Sequence, residues 1–261
     1  MSLRFAQITD HHLAEGDLLW GYSTWHALRT VLRHIAVNAG PLDFIVSTGD
    51  LAEHGSDAEY RIFRELIGAE PDGVFPGPLI AQGEGLADIP FYALPGNHDV
   101  RPTLLRNLFP ASPPADRLHG WFERGGVRFV CVDWGTANKA QSTPDLPAFL
   151  DAALSGVPAV ILMHHHVAPL GHARIDALIP DDLDAFAERI AGRNVLAILS
   201  GHTHATFERE LGEVPVYGLR STCFQFAPIE GELLRCLLPP HYRIVTIAGG
   251  ALSSAIVEVP L

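Results

Sequence analysis

Asp, His and Asn residues gather in five short clusters along this chain: Asp10-His11-His12, Gly49-Asp50, Gly96-Asn97-His98-Asp99, His164-His165-His166 and Gly201-His202-Thr203-His204. Oxygen and nitrogen donors without a thiolate suit a hard or borderline divalent cation. Asp10 and His12 are two residues apart, so at an extended strand end both point to one side while His11 points away. His202 and His204 repeat that spacing and can serve two different ions. Asp50 follows Gly49, which permits a tight turn, and its carboxylate has lone pairs enough to bridge two ions. Asn97 offers a neutral amide oxygen. Taken singly, each cluster has an ordinary explanation as a turn, a surface histidine or a polar tract. All of them in succession, each where an apolar run stops, point to one site assembled from distant parts of the chain.

The apolar runs at residues 3–9, 43–48, 91–94, 159–163 and 195–199 read as strands. Residues 24–37 carry Leu28, Val31, Leu32 and Ile35 at helical spacing and stop near Gly40-Pro41. Residues 56–67 form a second helix, with Ser56 and Glu59 as a capping box. Further helices are expected at 144–154 and 181–190, and a hairpin at 117–134 turning at Gly125-Gly126. After residue 204 the chain is β-rich, with a hairpin of 206–211 and 214–219 and strands near 233–237, 242–247 and 255–259. A parallel half followed by an antiparallel half suggests two sheets packed face to face, with helices outside. Ligand sites in open α/β sheets form beyond the carboxyl ends of the strands, where the clusters fall. Residues 68–89, rich in Gly, Pro and acidic side chains, read as a long surface loop that would alter access or association. With no repeat or linker, residues 1–261 read as one domain.

Hydrophobic content of 48% and 18% charged residues fit a globular protein. The net charge of −12 opposes an extended nucleic-acid footprint. It does not oppose a small phosphate-bearing substrate, because bound cations dominate the local field. Cys131, Cys223 and Cys236 are odd in number and lack a Cys-x-x-Cys pair, so a reducing compartment is the simpler reading. The first apolar run is short and ends in Asp10, unlike a secretory signal, and no stretch is long enough to span a membrane. The expectation is a cytoplasmic protein without a membrane partner. The apolar stretch 245–252 reads as core, with a homo-oligomer contact as the alternative.

Together the Asp-x-His, Gly-Asp, Gly-Asn-His-Asp, His and Gly-His-x-His motifs, in order from Asp10 to His204, resemble the calcineurin-like metallophosphoesterase superfamily. Within it the chain is similar to the bacterial class III cyclic-nucleotide phosphodiesterases, including the cyclic-AMP type, and to the related glycerophosphodiesterases. Ile8-Thr9-Asp10 with residues 18–25, the histidine triplet, and Ser221-Thr222-Cys223-Phe224-Gln225-Phe226 with Pro228 carry the subgroup likeness. The resemblance implies an α/β fold, a four-layer αββα sandwich of two mixed sheets flanked by helices. It also implies two divalent or mixed-valence metal ions, manganese or iron first, zinc or cobalt next. One would be held by Asp10, His12, Asp50 and His204, the other by Asp50, Asn97, His164 and His202, with Asp50 shared. His98 would be a proton donor or charge stabiliser, and Asp99 would orient it. Asn97, His98, His165 and Phe224 would face the substrate.

The implied reaction is hydrolysis of small phosphodiesters, cyclic nucleotides foremost, by a metal-bound hydroxide. Glycerophosphodiesters, or a broad range of phosphodiesters and phosphomonoesters, are the runner-up. A non-catalytic scaffold on the same fold would be expected to have lost ligands, and each is present. The chain departs from its relatives in several places. His11 stands where a small residue is common. His166-Val167 replaces two prolines of the glycerophosphodiesterases, which keeps His165 open as the alternative to His164. Phe224 falls where those enzymes have a phosphate-contacting His, which implies a more apolar pocket. Trp20, Tyr22 and Trp25 can stack on a nucleobase, although loop packing is their ordinary role. His54, His172 and Arg220 are rim residues or plain solvated groups.

Overall fold

Alternation along the apolar runs decides the architecture. A computed structural model describes residues 2–229 and 232–260. The first part of the chain holds β1 (Ser2–Ile8), β2 (Leu18–Leu19), β3 (Tyr22–Ser23), α1 (Thr24–Asn38), β4 (Phe44–Thr48), α2 (Asp57–Ile67), β5 (Leu79–Ala81), β6 (Ile89–Leu94) and α3 (Arg101–Leu108). Then come β7 (Gly120–Arg124), β8 (Val127–Val132), α4 (Leu146–Ala153), β9 (Ala159–Met163), α5 (Ala173–Asp176), α6 (Leu183–Ile190) and β10 (Val195–Leu199). The remainder is β11 (Phe207–Leu211), β12 (Val214–Gly218), β13 (Gln225–Ile229), β14 (Glu232–Cys236), β15 (His241–Ala248) and β16 (Ala251–Glu258).

Two six-stranded sheets result, in the orders β16-β15-β1-β4-β6-β5 and β11-β12-β10-β9-β8-β7. Leu3, Phe5, Phe44, Val46, Tyr92 and Leu94 of the first sheet meet Phe129, Cys131, Val160, Leu162, Ala197 and Leu199 of the second in one inter-sheet core. The intervening residues face outward: Ala6, Ile8, Ile45, Phe91 and Ala93 meet the apolar stripes of α1, α2 and α3. On the far side Val130, Val132, Ile161, Met163 and Ile198 are covered by α4 and α6. The layers are therefore helix, sheet, sheet, helix. Ser56 and Glu59 cap α2 reciprocally, the Glu59 N–H donating to Ser56 Oγ at 3.2 Å and the Ser56 N–H to the Glu59 carboxylate at 3.0 Å. Such a cap is worth about 1 kcal/mol.

Two expectations are corrected. The parallel and antiparallel halves of the sequence are not separate sheets: β15 pairs antiparallel with β1 and brings β16 to the first sheet. Residues 68–89 are not a bare loop: β5 pairs antiparallel with β6, Ala81 opposite Ile89, at the end of the sheet remote from the clusters. Leu79 and Ala81 bury into the helix-side core, which fixes that strand. After His204 the described residues contain only strands and loops. Val245 and Ile247 lie in the inter-sheet core. Among the described residues no helix is long and apolar enough to cross a membrane.

Candidate metal centre

The strands stop just short of the cluster residues, and the backbone turns sharply there. Asp10, His12, Asp50, His202 and His204 have φ of 56°, 47°, 49°, 68° and 50°. Left-handed backbone costs about 1–2 kcal/mol per residue without glycine, and such strain persists only where the surroundings over-determine it. Asp10 and His12 therefore converge through left-handed turns beyond Ile8, not by alternation along an extended strand end as expected. Inter-loop hydrogen bonds hold the turns: Asp10 N–H to Gly49 O at 2.9 Å, His12 N–H to Asp50 O at 3.0 Å and Gly201 N–H to His164 O at 3.0 Å. The approach needs glycine. A Cβ on Gly49 would lie 2.5 Å from His164 Nδ1, and one on Gly96 2.1 Å from Asp50 Oδ1.

Hydrogen bonds on the outer side of each ring set which nitrogen faces inward. His12 Nδ1–H donates to Glu53 Oε2 at 2.7 Å, His204 Nδ1–H to Phe224 O at 2.7 Å and His164 Nδ1–H to Thr48 O at 2.9 Å. Each Nε2 then presents a lone pair. His12 Nε2 and His204 Nε2 stand 3.1 Å apart. His164 Nε2 is 3.2 Å from Asp50 Oδ2 and 3.0 Å from Asn97 Oδ1, and His204 Nε2 is 3.3 Å from Asp10 Oδ1. Asn97 is held by its amide N–H, which donates to Asn138 Oδ1 at 3.1 Å and leaves its oxygen inward. With the rings neutral, acceptors converge without donors, an arrangement that calls for cations. Imidazoles that donate their second N–H to a carbonyl or carboxylate are the usual metal-binding form.

Asp10, His12 and His204 form one set of ligand atoms within 4.8 Å of one another, Asp10, Asp50 and His164 a second, and His12, Asp50 and His98 a third. Asp10, His12 and Asp50 are each common to two sets. Burial alone would lower the pKa of His164, but the Asp50 and Asp10 carboxylates outweigh it and hold it at about 9. A field that holds a proton there also favours a divalent cation.

The other cluster residues separate. His164, not His165, turns to Asp50; His165 Nε2 meets Ala137 O at 2.8 Å, and burial lowers its pKa to about 3. The His202 ring packs 5.1 Å from that of His164 and 4.8 Å from that of His165. His11 points into the core between Ser47 Oγ (2.9 Å) and Thr222 Oγ1 (3.0 Å).

His98 has its ring 4.8 Å from that of His12, and its Nδ1–H donates to Glu53 O at 2.8 Å. Burial lowers its pKa, but Asp50 and Glu53 overcome this and raise it above the ordinary value. Asp99 does not orient His98, contrary to expectation. Its carboxylate accepts the N–H groups of Gly96 (2.7 Å), Leu51 (3.1 Å) and Ala52 (3.3 Å) and the Tyr60 hydroxyl (3.0 Å). Asp99 therefore locks the Asp50 and Asn97 loops together, and burial with the Asp50 charge pushes its carboxyl to about 6. Glu53 and Asn138 were not anticipated. An acid three residues after Asp50 behind apolar Leu51-Ala52 was a usable signal for Glu53; nothing local marks Asn138.

Phe224 does not face the substrate, contrary to expectation: it is buried behind the cluster, its ring 4.7 Å from that of His204 and 5.3 Å from that of His12. Trp20 meets Phe224 edge-on at 5.2 Å and Tyr22 lies over it at 5.9 Å. Trp25 packs on the helix-side core and donates its Nε1–H to Ala14 O at 2.7 Å. His54 pairs with Glu59, His172 precedes α5, and Arg220 donates to Pro239 O; none joins the cluster.

A family model described as calcineurin-like phosphoesterase matches residues 3–206. The 3′,5′-cyclic adenosine monophosphate phosphodiesterase CpdA of Pseudomonas aeruginosa is 29% identical over 93% of this chain and 84% of its own length. The probable glycerophosphodiester phosphodiesterase GpdQ of Arcobacter nitrofigilis is 24% identical over 76% of this chain and 70% of its own. Purple acid phosphatase PPD1 from yellow lupin seeds shares the fold, with a TM-score of 0.68 at 14% identity over 99% of this chain and 52% of that one.

Proposed function

The chain belongs to the calcineurin-like phosphoesterase family, and on that premise we propose that it is a dinuclear metal-dependent phosphodiesterase of small phosphodiesters, cyclic nucleotides foremost. The observation that carries this reading is the set of inward lone pairs on His12, His164 and His204 facing Asp10, Asp50 and Asn97. Asp10, His12, Asp50 and His204 would hold one cation, and Asp50, Asn97, His164 and His202 the other. When bound, such a pair lowers the pKa of a water and neutralises the charge of an in-line displacement.

The chain's own residues supply the rest. His98 keeps Nδ1–H on Glu53 O, so its Nε2 is the atom that faces substrate and protonates the departing oxygen. General acid catalysis of this kind is worth about 10²–10⁴-fold. Asp50 accepts the His98 N–H at 2.9 Å and so fixes that residue to the metal cradle. Phe224 backs His12 and His204 with a buried apolar ring. The CpdA relative favours a cyclic nucleotide substrate, and the GpdQ relative supports a glycerophosphodiester as the second reading.

The test is steady-state hydrolysis by the manganese-loaded protein of cyclic AMP, 2′,3′-cyclic AMP, glycerophosphocholine and bis(p-nitrophenyl) phosphate. Efficient turnover of cyclic AMP among the natural esters is expected. Turnover of glycerophosphocholine in its place would move the assignment to the second reading, and turnover of none would end the phosphodiesterase reading.

A further inference from the structure

We infer that segment 221–225, between β12 and β13, is a latch that sets the geometry of the first metal position, with Ser221 and Thr222 as its positioning residues. This rests on the dinuclear reading above and names what aims one of the two ions. Ser221-Thr222-Cys223-Phe224-Gln225 is part of the subgroup likeness, yet the proposed reaction gives its hydroxyls and amide no part. All five residues are buried, at 2% exposure or less, so the segment acts on a substrate only through other groups.

The latch is bonded to both arms of that position. One arm is the loop after β1, which carries Asp10 and His12. Ser221 Oγ–H donates to Asp10 O at 2.7 Å, the Thr222 N–H donates to Thr9 O at 3.1 Å, and Thr222 Oγ1 meets His11 Nδ1 at 3.0 Å. The other arm is His204, whose Nδ1–H donates to Phe224 O at 2.7 Å. The segment is also braced within itself. Ser221 Oγ accepts the Cys223 N–H at 2.8 Å. The Gln225 side-chain amide closes a ring with the Ser221 backbone, accepting its N–H at 3.0 Å and donating to its carbonyl at 2.8 Å.

The latch accounts for the strained turns. Asp10, His12 and His204 are all left-handed, and such backbone persists only where its surroundings hold it. Gly49 O and Asp50 O hold the Asp10 and His12 N–H groups from the β4 side; the latch holds Thr9, Asp10 and His11 from the β12 side. It also spans the sandwich, because β12 and β10 belong to the second sheet and β1 to the first. Asp10 and His204 therefore reach one ion from two sheets, and the latch is bonded to both. His11, which stands where a small residue is common, adds a tie: its ring bridges Thr222 Oγ1 and Ser47 Oγ. Removing a group that aims a ligand from behind typically costs about 10- to 100-fold in metal affinity.

The experiment is manganese titration of the protein and its Ser221→Ala, Thr222→Val and Thr222→Ser variants. It is followed by calorimetry and by electron paramagnetic resonance, which separates a lone manganese from a coupled pair. Ser221→Ala and Thr222→Val should each weaken one ion by about 10- to 100-fold and leave the other unchanged. A lone-manganese spectrum should then appear at metal levels that give the parent a coupled pair. Thr222→Ser keeps the hydroxyl and should titrate like the parent. Thr222→Val keeps the shape of the side chain, so it carries the test if Ser221→Ala does not fold. An unchanged titration of both, or equal weakening of both ions, as a general loosening of the fold would give, would overturn the latch. A parent that takes up a single ion, weakened by Ser221→Ala, would end the dinuclear reading and keep the latch.

Discussion

The two banks of the site are held in different ways. On the first, built from the loops after β1, β4 and β6, the orienting atoms are satisfied by protein. His12 leans on the Glu53 carboxylate, His98 on its carbonyl, and Asp99 accepts four donors. On the second, built from the loops after β9 and β10, His166 Nδ1 and Nε2, His202 Nε2 and Thr203 Oγ1 are buried without a partner among the described residues. His202 is positioned by ring packing against His164, His165 and His166. On the second bank His164 and His204 are still aimed by hydrogen bonds to Thr48 O and Phe224 O, and His202 is the ligand held by shape. The banks are strapped together by Arg101, which forms a bidentate pair with Asp133 at the end of β8 and donates to Gly96 O at 2.6 Å.

Four experiments break or sharpen that contrast. Asp50 lies between the banks, so Asp50→Ala should reduce turnover to background and metal content to at most one ion per chain, measured by elemental analysis. Retention of both ions would refute the shared role. His98→Ala should lower kcat by about 10²–10⁴-fold with both ions kept; unchanged kcat would remove His98 from the mechanism. Glu53→Ala should weaken metal binding by about 10- to 100-fold, since His12 loses its orienting carboxylate. His166→Phe keeps a flat ring against His202 and should leave metal affinity unchanged. A larger loss for His166→Phe than for Glu53→Ala would invert the comparison.

The smallest effect on turnover is expected at the strap. Asp133→Asn strands a buried guanidinium and should destabilise the fold by about 3–5 kcal/mol, read by urea denaturation at neutral pH. Burial alone would raise the Asp133 pKa, but Arg101 outweighs it and holds the carboxyl below its usual value. A depressed folded pKa gives stability that is complete above the unfolded value near 4 and is lost as pH falls through the folded one. The gap between parent and variant should therefore be constant from pH 7 to about 5 and shrink below about 4. A constant gap down to pH 3 would show that the ion pair is not what stabilises the strap.

Much of this was legible in the order of residues. Strand alternation, the α2 capping box and the motif positions are set by chemistry within a few residues of each other, so a one-dimensional pattern records them. His11 and His12 were distinguished by spacing alone, although left-handed turns rather than an extended strand carry out the separation. What the sequence did not fix depends on groups far apart in the chain. The choice between His164 and His165 rests on the Thr48 and Ala137 carbonyls. The inward amide oxygen of Asn97 rests on Asn138, and the partner of His98 is Glu53 rather than adjacent Asp99. The return of β15 to β1 pairs residues more than 200 positions apart. The sequence by itself determined which residues are able to bind metal and on which strand ends they stand, because residue type and local period are local properties. Only the tertiary structure decided which atom of each faces inward, because an imidazole or amide is aimed by whatever carbonyl or carboxylate the folded chain brings behind it.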